Sequence, residues 1–392
     1  MNRRSRTTVA ALVGATILFA GCTADAGDDD AKDSPSGGSS AGDSGSAEPV
    51  QVSFDPATKK LIPDTPVDEW CGDDEVKMGV ADGVSFNKWR QLAFKVMENQ
   101  VAMCPAVDPN IVYVSANGDQ QKAISDINSL VAQGVDLIIT NDDFGNAMLP
   151  AYKKAVDAGV KVVTYASGHD GVPGVDVTAA SPEDAVAVGK ALAEELIKAL
   201  DGKGTVLFLG GPAGAPLSVG QYEGFKQAIA DHPDMKLVPD EPVVTNWALP
   251  DAQKATTALL AKNPDIDAIY ADYGPTGIGA INAFEAAGLP VPPVAAVASG
   301  NDLLCLWQQK STGADRFEII TADSTHAMPL AGVQQGIAAA TGADYNPMQL
   351  FALPIVYNSL EGRDPVCDPS LPGDADFTGP LSDEEMVAVL ND

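Results

Sequence analysis

Positive charge and histidine are both scarce in this chain. Lys and Arg total 24 against 54 Asp and Glu, with three histidines in 392 residues. Arg3, Arg4 and Arg6 sit in an N-terminal leader, so its removal takes the net charge from −30 to −33. A field of that sign repels phosphate backbones and anionic headgroups, which argues against a nucleic-acid partner. Neither an H-E-x-x-H nor a C-x-x-C motif occurs, and His169, His232 and His326 have no nucleophile at motif spacing. The chain therefore reads as a non-enzyme with no metal or cofactor. The apolar stretch TTVAALVGATILFA holds only 14 residues, too few to span a bilayer comfortably.

That stretch follows three arginines and precedes Gly21-Cys22, the layout of a signal peptide over residues 1–21. Leu18-Phe19-Ala20-Gly21-Cys22 resembles the bacterial lipoprotein lipobox, with Phe19 in place of the usual aliphatic residue. The resemblance makes Cys22 the lipidated N-terminus of an extracytoplasmic protein anchored to the outer face of the cell membrane. From Cys22 the chain is rich in Gly, Ser and Asp, and residues 22–70 read as a flexible acidic linker. Four cysteines remain, Cys71, Cys104, Cys305 and Cys367, an even number in an exported chain, which suggests disulfides. Three pairings are open. A helix returning antiparallel to its strand would bring Cys71 and Cys104 together, which favours Cys71–Cys104 and Cys305–Cys367.

From residue 75 short β-branched runs alternate with amphipathic stretches. VKMGVA (76–81), NIVYVSA (110–116), DLIITND (136–142) and KVVTYAS (161–167) read as strands separated by helices, hence as a parallel sheet with right-handed crossovers. A helix is expected over 181–200, with Ser181 as its cap and Pro182 in its first turn. The pattern then repeats, with strands at TVLFLG (205–210), KLVPDEPV (236–243), AIYAD (268–272) and PVAAVAS (293–299). Two doubly wound α/β units in one chain leave a cleft between the C-terminal ends of their strands, where ligands of such sheets bind.

The glycine-rich stretch GGPAGAPLSVGQYEGF (210–225) lacks G-x-G-x-x-G, G-x-x-x-x-G-K-[ST] and G-x-S-x-G alike, so neither a phosphate loop nor a nucleophile elbow fits it. Gly211-Pro212-Ala213-Gly214 followed by Gln221-Tyr222-Glu223-Gly224-Phe225 resembles instead the G-x-x-G turn and R-x-x-G-F helix start of type I periplasmic sugar-binding proteins, the ribose-binding-protein-like family of ABC importers. LIITNDDFGNAMLPAYKKAVDAGVKVVTYAS and ALLAKNPDIDAIYADYGPTGIGAINAFEAAG resemble that family's strand and helix units in its two lobes. The resemblance covers most of residues 75–357. It implies an α/β fold of two similar doubly wound parallel-sheet lobes joined by a three-segment hinge, with crossings near Ala180, Asp323 and Tyr357. Lobe one is then 75–179 with 324–357, and lobe two 180–323 with 358–392.

By the same resemblance Trp89, with Phe86 beside it in ADGVSFNKW, and Trp247, in VVTNWALPD, stand where the family places aromatic plates for a sugar's apolar face. The family's polar positions fall on Ala166 and Ser167, Gln221 in the arginine place, Tyr273, Ser299 and Asp323. Asp82, Asn141, Asp142, Asp272, Asn301 and Asp302 lie near strand ends and could replace what those departures remove. Loss of the arginine with acids retained points to a neutral sugar or polyol, or to a ligand with a cationic part. The implied function is a monomeric solute-binding lipoprotein that delivers a small sugar or polyol to an ABC permease. A receptor for a nucleoside or signalling molecule feeding a sensor is the alternative.

Overall fold

The computed structural model describes residues 49–84 and 87–391. The leader, Cys22 and Phe86 lie outside the described residues. The chain begins with a hairpin, β1 (Val50–Asp55) and β2 (Lys60–Ile62), and a one-turn helix α1 (Val67–Trp70). Lobe one follows as β3 (Met78–Asp82), α2 (Lys88–Met103), β4 (Val112–Ser115), α3 (Gln120–Ala132), β5 (Leu137–Asn141), α4 (Leu149–Asp157), β6 (Lys161–Ala166) and β7 (Ala179–Pro182). Its strands form a parallel sheet in the order β4-β3-β5-β6-β7.

The second lobe runs through α5 (Ala185–Ala199), β8 (Gly204–Gly210), α6 (Pro216–Ile229), β9 (Met235–Leu237), β10 (Val243–Val244) and α7 (Leu249–Leu260). It continues through β11 (Ala268–Ala271), α8 (Gly274–Ala286), β12 (Val294–Val297), α9 (Gly300–Lys310) and β13 (Ile319–Ala322). The chain then returns to lobe one as α10 (Ala327–Thr341), adds β14 (Gln349–Phe351) beside β1, and crosses again to β15 (Ile355–Asn358). The second sheet has the order β10-β8-β11-β12-β13-β15, with β9 also on β8 and with β15 antiparallel to β13. A last helix, α11 (Asp383–Leu390), opens with the capping box Ser382/Glu385.

Both sheets are covered on two faces, and the strands show it residue by residue. In β5, Leu137 and Ile139 enter the core shared with α2 and α10, while Ile138 enters the one shared with α3 and α4. In β8, Leu207 and Leu209 face α7 and α8 while Val206 and Phe208 face α5 and α6. Parallel strands sealed on both sides need apolar residues at successive positions, which is why these runs read as continuous rather than alternating.

Four expectations need correction. Residues 49–70 are not linker: Val52, Phe54, Leu61 and Trp70 are buried in the core of lobe one, because VQVSF alternates inward and β1 pairs with both β2 and β14. Tyr357 lies inside β15, opposite Thr321 of β13, so the third crossing falls at residues 352–354. The tail does not stay on lobe two, since α11 packs against α2 and buries Met386 and Leu390 in the core of lobe one. The helix expected from Ser181 starts later: Ser181 and Pro182 end β7, and Asp184 caps α5 through the Ala187 amide. Cys71 is bonded to Cys104 and Cys305, on α9, to Cys367. No helix among the described residues is long and apolar enough to cross a membrane.

If the hairpin is part of the folded core, Phe54→Ala lowers the unfolding free energy in a denaturant titration by about 3–5 kcal/mol, as large-to-small core changes do. A position in a flexible tether would show no loss.

Candidate functional site

The C-terminal ends of both sheets face one another, and a cavity of ≈ 70 Å³ lies between them. At a parallel strand's end the ladder stops, so side chains and loop amides there are free to turn toward a ligand. Lobe one contributes Trp89, Arg90 and Asn141, lobe two contributes Trp247, Asp272 and Tyr273, and Glu183 lines the wall from the first crossing.

Arg90 is placed by the start of α2, where the Asn87 side chain accepts the Arg90 amide at 3.0 Å. Its buried guanidinium pairs with Asp82 and, at 2.6 Å, with Asp143. Tyr113 donates to the other oxygen of Asp82 at 2.7 Å. Burial opposes the guanidinium charge, but Asp143 and Asp82 outweigh it and hold Arg90 protonated. Burial also pushes the Asp143 carboxyl up, against the pull of Arg90.

Trp89 donates its indole N–H to Thr325 Oγ1 at 2.9 Å and stacks on His326 with ring centroids 5.0 Å apart. Trp247 donates to Asp272 Oδ2 at 3.1 Å from a left-handed backbone, φ 53°. Gly211 makes that possible, because a Cβ there would stand 2.2 Å from the Trp247 ring. The Gly211 amide donates to the same Asp272 oxygen at 3.0 Å, and so does the Ser218 hydroxyl. The glycine-rich loop thus supports a carboxylate and an indole, and no phosphate. The other oxygen, Asp272 Oδ1, is buried without a partner, and burial pushes this carboxyl up to about 6.

Glu183 is fixed by a relay: Tyr270 donates to Gln221 Oε1 at 3.0 Å, and Gln221 Nε2 donates to Glu183 Oε1 at 2.7 Å. The close approach of α5 and α6 that brings these groups together needs Gly189, where a Cβ would lie 1.9 Å from the Gln221 carbonyl oxygen. Among the described residues Glu183 Oε2 has no partner, and burial raises this carboxyl to about 8. Asn141 Oδ1 is a third buried acceptor without a donor.

Of the residues singled out in the sequence, Trp89, Asn141, Ala166, Ser167, Trp247, Asp272 and Tyr273 line this cleft. Five others do not. Asp82 stands behind Arg90, and Asp142 is turned to the Tyr152 hydroxyl, which donates to it at 3.0 Å. Gln221 sits one layer behind Glu183. Asp323 is held at the second crossing by the Ser299 amide at 2.8 Å and by Thr321. Ser299 lines a neighbouring cavity of ≈ 150 Å³ together with Asp302, Asp374 and His326. Asn301 is spent on carbonyls of the tail, including Asp368 at 2.8 Å. Sequence reasoning missed Arg90, Asp143 and Glu183. Arg90, next to Trp89 at a helix start, is legible in principle, whereas Glu183 falls in the first turn of the helix expected from Ser181.

Two α/β lobes joined by three crossings, with an aromatic and polar cleft between them, are the architecture of a two-lobed ligand-binding protein. The model of the periplasmic binding protein domain matches residues 82–311, and the chain belongs to that family. It is similar to the xylitol-binding protein of Mycolicibacterium smegmatis, 28% identical over 188 residues that cover 48% of this chain and 52% of that protein. It is also similar to the D-xylose-binding periplasmic protein of Escherichia coli, 28% identical over 220 residues, 55% of this chain and 64% of that one. The chain thus spans between half and two thirds of these relatives' length. Among solved structures, a solute-binding protein of Bacillus halodurans with bound myo-inositol superposes with a TM-score of 0.63 at 21% identity, over 72% of this chain and 96% of that one. An arabinose-transporter binding protein of Shewanella sp. ANA-3 gives 0.63 at 19% identity, over 72% and 92%. These likenesses show the fold.

The raised carboxyls have a measurable consequence. A Glu183 that releases its proton near 4.5 when unfolded and near 8 when folded binds an extra proton in the folded state between those values, so its contribution to stability falls as pH climbs through that window. Glu183→Gln removes this contribution. Without ligand, the variant's unfolding free energy should gain steadily on the wild type between pH 5 and 8, measured by denaturant titration at a series of pH values.

Proposed function

We propose that the protein is an extracytoplasmic solute-binding lipoprotein, anchored through Cys22, that captures a small sugar or polyol between its lobes and delivers it to an ABC importer. The observation that carries this reading is the cleft itself. Indoles from opposite lobes, Trp89 and Trp247, stand beside buried acceptors that have no protein donor, at Asn141, Glu183 and Asp272. A polyhydroxylated molecule offers C–H faces for the rings and hydroxyl hydrogens for the acceptors. Contacts to both lobes favour the closed arrangement over an open one, which is how such a protein would present a loaded state to a permease. The relatives named for xylitol and D-xylose support the same ligand class.

We read the protein as non-catalytic. His169, the histidine following YASG, has Nε2 at 3.1 Å from Thr164 Oγ1 and accepts the Gly171 amide at Nδ1 at 3.0 Å, which leaves no ring nitrogen for a substrate. Burial lowers its pKa, consistent with a neutral structural imidazole.

A thermal-shift screen of the purified protein against pentoses, hexoses, pentitols, inositols and nucleosides tests the reading. A bound sugar or polyol at 100 times its Kd should add about 2.7 kcal/mol to the unfolding free energy. Trp89→Ala and Trp247→Ala should each remove most of that gain. A nucleoside as the sole hit would transfer the assignment to a receptor for flat bases, and hits indifferent to both tryptophans would move the site elsewhere.

A further inference from the structure

The charges in the cleft wall are unbalanced in one direction. Among the described residues that line it, Arg90 is the one cation, and Asp82 and Asp143 already hold it, leaving that group with a net negative charge. Asp272 has no cation in contact: its three donors are the Gly211 amide, the Ser218 hydroxyl and the Trp247 indole, all neutral and all on Oδ2. Oδ1 is left bare in a side chain whose residue is 2% exposed. Glu183, 5% exposed, likewise has one oxygen held by Gln221 and the other bare. Both indole N–H groups are committed, Trp89 to Thr325 and Trp247 to Asp272, so neither can donate to a ligand without giving up its partner. The wall therefore asks for donors and for positive charge.

Resting on the sugar or polyol reading above, we propose that the ligand carries a protonated amine, as an amino sugar or amino polyol does, and that Asp272 and Glu183 receive its ammonium. An ammonium brings three donors and no acceptor. A hydroxyl could fill one bare oxygen but would leave the charge of the buried Asp272 uncompensated, whereas a charge-assisted bond to a cation is shorter and stronger. The indole face of Trp247, anchored on Asp272, adds a surface that attracts a cation. The upward displacement of both carboxyls, to about 6 and about 8, is what burial without a counter-ion produces, and an arriving cation reverses it. Arg90 does not oppose this, because its two carboxylates outweigh it.

The test is isothermal titration of the purified protein at pH 7, where the amines still carry most of their charge and the Asp272 carboxyl, raised only to about 6, is ionised, with three pairs that differ by one group. The pairs are glucosamine against glucose, galactosamine against galactose, and 1-amino-1-deoxysorbitol against sorbitol. In at least one pair the amine should bind tighter by about tenfold or more, a step of the size that one charge-assisted contact supplies. N-acetylation of that amine should abolish the preference. Asp272→Asn and Glu183→Gln, each confirmed folded by its circular dichroism spectrum, should reduce the ratio of amine to neutral affinity, whatever happens to the neutral partner's own affinity. Equal binding, or tighter binding by the neutral members, overturns the amine proposal and leaves the sugar or polyol reading standing. A preference that survives in both variants also overturns it, since the protein's overall negative field would then be its source. Absence of binding by every member of every pair counts against both readings.

Discussion

Three passages of the chain between the two lobes frame the cleft. Each sheet is sealed on both faces, and the chain changes lobe after β7, after β13 and after β14. The first passage carries Glu183, the second carries Asp323, Thr325 and His326, and the third is a short run between β14 and β15. Groups at a crossing are held from both sides. Glu183 bonds to Gln221 of lobe two while its backbone pairs with Phe351 beside β1. Ligand contacts made there report on the angle between the lobes directly, without a chain of intermediates.

The tail adds a fourth connection of another kind. After β15 it is bound to lobe two by Cys305–Cys367 and by the Asn301 side chain, then passes Asp376 and Thr378, which hold His326 at 2.7 Å and the Ser324 amide at 2.7 Å. It finishes on lobe one, where Asn99 donates to Glu385 at 2.7 Å and Lys88 to the Leu390 carbonyl at 2.9 Å. The tail is thus a strap with contacts on both lobes. His326 lies at its midpoint, with Nδ1 against Asp376, Nε2 at 3.1 Å from the Trp89 carbonyl, and its ring stacked on the Trp89 indole. The strap and one aromatic plate of the cleft are thus mechanically one unit.

The sequence made the two α/β units legible because sealed parallel strands and amphipathic helices each impose a period, and those periods are local. Trp89 and Trp247 were legible through family resemblance, and Asp272 through its place at the end of AIYAD. What escaped was set by distant partners. The hairpin of residues 50–62 follows a Gly- and Ser-rich stretch and gains its order only from β14, nearly three hundred residues on, and from the lobe-one core. Asp82 and Asp142, both plausible ligand contacts as acids at strand ends, are consumed by Arg90 and Tyr152, neither of which is adjacent in sequence. Glu183 looked like a helix-capping acid because nothing local distinguishes a carboxylate facing solvent from one facing a cleft. Its burial comes from Gln221 and the α5–α6 contact.

Backbone strain marks the same site by an independent route. Ala166, Trp247 and Ala298 all have left-handed φ values, 62°, 53° and 49°, and all three line the cleft. For a residue with a Cβ each such conformation costs on the order of 1–3 kcal/mol, and it persists only where surrounding contacts over-determine it. Ala166 ends β6 and Ala298 directly follows β12. A left-handed turn there swings the following residue, Ser167 or Ser299, out of the line of its strand. At Trp247 the turn lays the indole across Gly211 with its N–H on Asp272, so the strain is offset by a buried carboxylate that would otherwise lose a donor. The distortion and the charge are therefore coupled. Relaxing the backbone at Trp247 would withdraw a neutral donor from the buried Asp272 carboxyl, so the loop's conformation and that carboxyl's hydrogen bonding cannot vary independently.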